Sequence, residues 1–235
     1  MIRALWLTFV GALCFVALGA QLDRASRRQS SLAPFVPAIF RNFAQETVSL
    51  AQVRSAEPDQ ALQDARLLLS RSPLPAEHLT LLAIAEERKG NREISSRLIQ
   101  QAAQRGWRDA IAQQAMFDIA LSAGDPVEAS HRFAAIWALR DNEAPLLDMR
   151  NRLLAARGGK EALAGTLAAG GSWTRYYLRS VTADLDPLAV ESTILAIQKG
   201  ASLECAILGQ MRTALAKRNR DREATALGSC KRAPA

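Results

Sequence analysis

The chain has 235 residues, of which 49% are hydrophobic and 23% are charged, as in an ordinary folded protein. With 13 glycines, 9 prolines and 3 cysteines, it is not a collagen-like chain, a disordered chain or a small disulfide-stapled scaffold. The formal net charge is +7, and most of the basic residues are arginines scattered along the chain. Aromatic residues make up only 6%, and abundant alanine and leucine favour helices over sheets.

The chain begins with an apolar run over residues 4–20, preceded by Arg3 and followed by an acidic residue and three arginines. A membrane-spanning helix needs roughly 17 to 25 residues, so the run is short for a span and slightly long for a cleaved signal. Ala17 and Gly19 match the small residues of an A-x-G cleavage site, so the sequence is compatible with both a spanning helix and a cleaved signal. We expect residues 1–28 to be an uncleaved membrane anchor rather than a removed signal segment.

Two features of the sequence disagree about orientation. The arginines after the run favour a cytoplasmic domain. Cys205 and Cys230, however, are equidistant from the polar turn at 217–220, so an antiparallel helical hairpin would bring them together. In an oxidising compartment this disulfide would contribute about 3 kcal/mol, and the alternative is two unrelated buried thiols. We therefore expect a single span in the cytoplasmic (inner) membrane and a periplasmic domain.

Residues 29–38 contain Pro34 and Pro37 and predict a linker, because proline disfavours helix for the residue before it. Helical patterning starts near Ile39 and continues to Leu227. The sequence therefore predicts one helical domain over residues 39–235.

A repeated turn is the strongest signal in this domain. Gly90, Gly124 and Gly158 are 34 residues apart, and each lies between two candidate helices. Gly124 is followed by Asp125, a predicted N-cap, and by Pro126, which suits the first helical position. Such spacing indicates helical hairpins that cover one another's apolar faces. The helices predicted around the first and third glycines cover residues 76–88, 92–104, 146–156 and 160–169.

Small and apolar residues recur at matching places in the second helices, such as Ala61, Ala102, Ala129 and Phe133. With the glycine spacing, they make the chain resemble the tetratricopeptide repeat family, whose unit is a 34-residue helical hairpin. The resemblance covers residues 42–177, as three or four degenerate units without the family's Trp, Leu-Gly and Tyr signature. It implies an all-α fold: a right-handed stack of helix-turn-helix hairpins, a TPR-like α-solenoid, preceded by one N-terminal transmembrane helix.

The resemblance also implies a concave groove lined by the first helix of each hairpin. These positions lack the lysine and asparagine clamp that some members use to hold a terminal carboxylate. The expected ligand is therefore an internal peptide segment or a folded protein, and the alternative is that these side chains are merely solvated. The implied groove residues are Thr80, Gln114, Asp118, Asp148 and Arg152.

No catalytic motif is found in the sequence, and we expect no enzyme activity, no cofactor and no metal site. His78 and His131 are the only histidines and are 53 residues apart. Trp173, Tyr176 and Tyr177 form an aromatic group that we expect to fill the core; the alternative is a surface on which a ligand stacks.

The sequence thus favours a membrane-anchored scaffold or adaptor that binds proteins in the bacterial cell envelope. Nucleic acid is not expected as a partner. The alternative is an arginine-rich binder of anionic envelope polysaccharide or lipid, whose binding would fall steeply with salt. Its candidate residues are Arg24, Arg27, Arg28, Arg92, Arg97, Arg105 and Arg108.

Overall fold

A computed structural model describes residues 2–139 and 143–228 of the chain. Within these ranges the protein has thirteen α-helices, one short 3-10 helix and no strand, which confirms the predicted all-α class. The helices pack mainly as neighbouring pairs. The chain divides into two compact units, Met1–Arg105 and Gly106–Ala235.

The first unit begins with α1, a helix of 25 residues whose most apolar 18-residue window has a mean hydropathy of 1.9. It is the one helix in the described ranges that is long and apolar enough to cross a membrane. Helices α2 and α3 pack together, and α4 packs against α2, α3 and α5. The helices of this unit are α1 (Ile2–Ser26), α2 (Phe43–Ser55), α3 (Pro58–Arg71), α4 (Ala76–Arg88) and α5 (Arg92–Arg105).

The segment predicted as a linker is not simply extended. A 3-10 helix covers Ser30–Phe35 and contains Pro34. The prolines disfavour an α-helix but allow this 3-10 turn, and Ala33 and the neighbouring Val36 are buried beside Ala44 of α2. The assignment of residues 29–38 as a linker stays a prediction. Packing against a neighbouring helix outweighs the local effect of the prolines, and a short 3-10 turn does not need the i→i+4 hydrogen bonds that proline interrupts.

The three evenly spaced glycines all adopt left-handed backbone conformations, with φ of 89° at Gly90, 73° at Gly124 and 75° at Gly158. After Gly90 and Gly124, the next residue's N–H donates to a carbonyl five residues earlier at 2.9 Å. This closes the helix as in a Schellman motif. Gly200 closes α11 in the same way, and Asn219, with φ of 57°, takes the glycine's place after α12.

The described part of the second unit, residues 106–139 and 143–228, contains eight helices. Helices α7, α9 and α11 pack consecutively, whereas α8 lies against α7 and α9. Asp125 caps α7 by accepting the Glu128 N–H at 3.0 Å, and Asp186 caps α11 through the Ala189 N–H at 2.9 Å. The helices are α6 (Ala110–Ser122), α7 (Pro126–Leu139), α8 (Glu143–Ala155), α9 (Gly159–Ala169), α10 (Thr174–Asp184), α11 (Pro187–Gln198), α12 (Cys205–Lys217) and α13 (Asp221–Ala226).

Four aromatic side chains form the centre of the second unit's core. Phe133, Trp137, Trp173 and Tyr177 are buried and meet with ring centroids 5.8 to 6.4 Å apart. The Trp173 indole N–H donates to the Gly170 carbonyl at 3.1 Å. Burial raises the pKa of Tyr177, so its phenol stays protonated. Tyr176 is half-buried and packs against the same cluster. The predicted core role of the aromatic group is therefore confirmed.

Candidate functional site

Three of the five predicted groove residues form one ion-pair cluster in the second unit. The Arg152 guanidinium on α8 lies 2.7 Å from the Asp118 carboxylate on α6 and 3.8 Å from that of Asp148, one turn earlier on α8. Their side chains are 45% to 69% exposed, so the pairs are screened by water and contribute little to folding. The arrangement holds charges of both signs at the surface.

The same surface includes two exposed residues of α6. Gln114 is exposed and precedes Asp118 by one helical turn. Ile111 is 52% exposed and, at i and i+3, shares a helix face with Gln114. The Arg152 guanidinium also lies over the ring of the buried Phe117, 5.5 Å from its centroid. We call Ile111, Gln114, Asp118, Asp148 and Arg152 the α6–α8 surface.

Thr80 does not share these properties. It lies on α4 in the first unit and is only 2% exposed, so the expectation that it faces an open groove was wrong. Helix α4 contacts three other helices, and the residues on both sides of Thr80 along the chain, Leu79 and Leu81, are also buried. This apolar run in α4 was the sequence signal that Thr80 is part of a buried helix.

Sequence reasoning missed a second ion pair with the same spacing, between a buried arginine and an exposed aspartate. Arg150 is 3% exposed, and its guanidinium lies 2.5 Å from the Asp184 carboxylate, 34 residues later. Arg218, a further 34 residues on, donates to the backbone carbonyl of Asp184 at 3.2 Å. Like the Asp118–Arg152 pair, these contacts join residues 34 positions apart, which is the spacing of the three glycines. The recurrence of arginine and aspartate at this spacing was the signal in the sequence.

The arginines of the alternative interpretation fall into two groups. Most of the later ones have local partners: Arg92 lies 3.4 Å from Glu87, Arg97 lies 3.0 Å from Glu93, and Arg105 donates to the Pro73 carbonyl at 2.7 Å. Arg108 lies over the Trp107 ring. By contrast, no carboxylate among the described residues lies within salt-bridge distance of the three that follow the apolar run, Arg24, Arg27 and Arg28.

The two histidines occupy different environments. His78 is buried, with Nδ1 2.7 Å from the Ser72 carbonyl oxygen, whereas the His131 side chain is 59% exposed, 3.9 Å from Glu128. Over residues 2–139 and 143–228 there is no group of three or more potential metal ligands.

Cys205 begins α12 and is disulfide-bonded, whereas Cys14 on α1 is a free, exposed thiol. Cys230, the predicted partner of Cys205, lies outside the described residues. The pairing of Cys205 with Cys230 therefore stays a prediction.

Comparison with protein-family models, with curated proteins and with solved structures finds no match to this chain. The resemblance to the tetratricopeptide repeat family accordingly stays a prediction, and the function is argued from the surfaces described above.

Proposed function

We propose that this protein is a membrane-anchored, non-enzymatic adaptor that binds another protein through the α6–α8 surface. In this proposal α1 spans the inner membrane of a bacterial envelope, and the helical body lies in the periplasm. The observation that carries the proposal is the ion pair between Asp118 and Arg152. It joins the first helices of neighbouring hairpins and leaves their charges exposed.

Contacts one period apart support a repeat-like arrangement of the hairpins. The Asp118–Arg152 and Arg150–Asp184 pairs both span 34 residues, and the Ser130 hydroxyl lies 2.6 Å from that of Thr166, 36 residues on. In stacked hairpins, equivalent positions of adjacent units lie side by side, which gives such contacts. We propose on this basis a TPR-like stack within the second unit.

The chemistry of the α6–α8 surface favours a protein ligand. Ile111 offers an exposed apolar side chain, Gln114 an amide that both donates and accepts, and the ion-pair cluster both signs of charge. Protein interfaces combine apolar contacts of this kind with a polar rim. An anionic polysaccharide would instead require basic side chains without acidic neighbours, and Arg152 has two carboxylates beside it. Thr80 is not part of this surface.

The location rests on α1 and the cysteines. Helix α1 has the length and apolar composition of a span, and most of its large apolar side chains are exposed. The disulfide state of Cys205 supports the periplasm as the compartment, because disulfides persist in oxidising surroundings.

The test is site-specific photo-crosslinking of the full chain in native membranes. A benzophenone amino acid at Gln114 is expected to give discrete protein adducts, whereas one at Glu161, an exposed residue of α9, is not. The adducts should be lost in an Arg152→Ala, Asp118→Ala variant and should persist above roughly 0.2 M salt, where charge-driven binding is screened. Equal adducts from both positions, or adducts unaffected by the double substitution, would contradict the proposal.

A further inference from the structure

The end of α1 is bound to the body of the first unit. Asp23, only 5% exposed, accepts backbone N–H groups of Asn42, Phe43 and Ala44 at 2.9, 3.2 and 3.0 Å. These groups are the unpaired donors at the start of α2, so Asp23 caps that helix from 20 residues away. The position of the loop before α2 is therefore fixed relative to α1.

The contact extends back into the apolar run. The Phe40 ring packs so closely on Gly19 that a Cβ atom there would clash with it, and it meets the Phe15 ring with centroids 5.4 Å apart. Gly19 is buried although most of α1 is exposed. Phe40 thus lies at the level of the last turns of the apolar run.

The length of the apolar run indicates how deep in a membrane the Phe40 ring would lie. Residues 4–20 cover about 26 Å as a helix, against about 30 Å of hydrocarbon in a bilayer. If α1 spans the membrane, the whole apolar run is needed to cross the hydrocarbon. Phe15 and Gly19 must then lie within the apolar layer or at its edge. Phe40, in contact with both, lies there too.

The loop that carries Phe40 is suited to such surroundings. Phe35 is 74% exposed and Ile39 is 75% exposed, an unusual display of large apolar side chains for a short segment. Several backbone carbonyls in and next to this segment accept side-chain hydrogen bonds, which lowers the cost of placing them in an apolar environment. Arg41 donates to the carbonyls of Pro34 and Val36 at 3.3 and 2.7 Å. Arg71 donates to the carbonyl of Ala38 at 3.2 Å.

Basic side chains lie just beyond the apolar level. Arg24, Arg27 and Arg28 follow the run by one to two turns and line a cleft with Gln21 and Phe43. The Arg27 guanidinium lies 5.3 Å from the centroid of the Phe43 ring. Apolar side chains next to unpaired arginines match a bilayer surface, where acyl chains give way to anionic headgroups.

We infer that residues 35–40 form a second membrane-contacting element, which enters the lipid interface beside α1 with Phe35 and Ile39 toward the acyl chains. Arg24, Arg27 and Arg28 then face the headgroups. The occupant of this apolar face is the bilayer itself. The inference rests on the proposed membrane anchoring of α1 and adds a contact that fixes the body at the membrane surface.

The experiment uses the full chain in phosphatidylcholine vesicles, with and without lipid brominated on its acyl chains. A nitrobenzoxadiazole label is attached at Ile39→Cys or Phe35→Cys in a Cys14→Ala background, under non-reducing conditions. The matched control is Ala51→Cys, which is exposed on α2 about 12 Å beyond its first residue. The native Cys14 thiol, labelled in the unsubstituted chain, reports separately on α1.

Labels at residues 39 and 35 should lose most of their emission to the brominated lipid, as the label at Cys14 does, whereas the label at residue 51 should lose little. If Cys14 is quenched but residues 35 and 39 behave like residue 51, the inference is overturned and the anchor stands. If Cys14 is not quenched, the membrane anchor itself fails, and the inference fails with it. Ile39 and Phe35 are exposed, so neither substitution removes a core contact, and far-UV circular dichroism checks that the helices remain.

Discussion

The two units of this protein are stabilised by different means. The second unit has one continuous apolar core with four buried aromatic rings. The first unit has smaller clusters made largely of alanine, leucine and valine, and arginine side chains bind its helix ends. Arg88 of α4, for example, donates to the Val53 and Ala56 carbonyls at the end of α2, at 2.6 and 2.7 Å.

This difference shows that similar helical hairpins depend on different side chains for stability. In the second unit the free energy of unfolding should depend most on buried apolar area. In the first unit it should depend more on single polar residues that satisfy backbone groups at helix ends. Hydrogen exchange of the full chain in detergent micelles can test this, because it reports protection helix by helix.

The largest effect is expected from Phe133→Ala in the second unit. Phe133 is 0% exposed and touches three aromatic rings, so its removal should cost about 3–5 kcal/mol of local stability. Protection should fall in α7, α9 and α10 and stay unchanged in α2–α5. Val127→Ala, which truncates a side chain 54% exposed on the same helix, is the control. An equal loss in both units would mean that they unfold together, and the comparison would fail.

The next effect is expected from Asp23→Ala in the first unit. Losing the cap of α2 should cost about 1–2 kcal/mol, seen as faster exchange in the first turn of α2. Asp23→Asn should restore part of the protection, because its amide oxygen still accepts N–H groups. If Asn is as harmful as Ala, the carboxylate acts through its charge at the helix N-terminus rather than through the hydrogen bonds.

A smaller effect is expected from Arg88→Ala. The hydrogen bonds to the end of α2 are partly exposed to water, so their loss should cost only about 1 kcal/mol, as faster exchange near the end of α2. Arg54→Ala removes an exposed arginine from the last turn of α2 and serves as the control. Similar changes in both variants would show that the carbonyl contacts of Arg88 do not stabilise the unit.

The smallest effect is a pH dependence of the α4–α5 hairpin. Burial alone would raise the pKa of Glu86, but hydrogen bonds from Asn91 and Arg66 and the charges of Arg66 and Lys89 outweigh it, so the pKa lies below its ordinary value. The stabilisation is present at neutral pH and is lost as the pH falls through the folded-state pKa. Exchange in α4 and α5, corrected for its intrinsic rate, should accelerate in this acidic range, and less so in Glu86→Gln. An identical pH profile in the variant would contradict the assignment.

The sequence predicts well those features that depend on neighbouring residues. The helices on both sides of Gly90 end within one residue of their predicted bounds, because glycine and cap residues act within one turn. Asp118 and Arg152 were both named as groove residues implied by the resemblance, and the structure brings them into an ion pair that the sequence analysis did not predict. Asp23 shows the limit of such reasoning, since its partners at Asn42–Ala44 are remote in sequence and nothing local marks them.

Burial was harder to predict than helix position. Thr80 has the polar character of a surface residue, but it lies in a helix that other helices surround. The linker prolines likewise gave no sign that Ala33 and Val36 pack against α2. Both outcomes depend on which elements meet in three dimensions, and a single sequence does not contain that information in its local pattern.

The capping of α2 by Asp23 has a practical consequence for anyone preparing a shortened, water-soluble version of this protein. A fragment that starts at Gln29 leaves out the whole of α1, but it also leaves the first N–H groups of α2 without their acceptor. A fragment that starts at Gln21 keeps the acceptor while omitting the apolar run. Purification trials should therefore begin with the longer fragment.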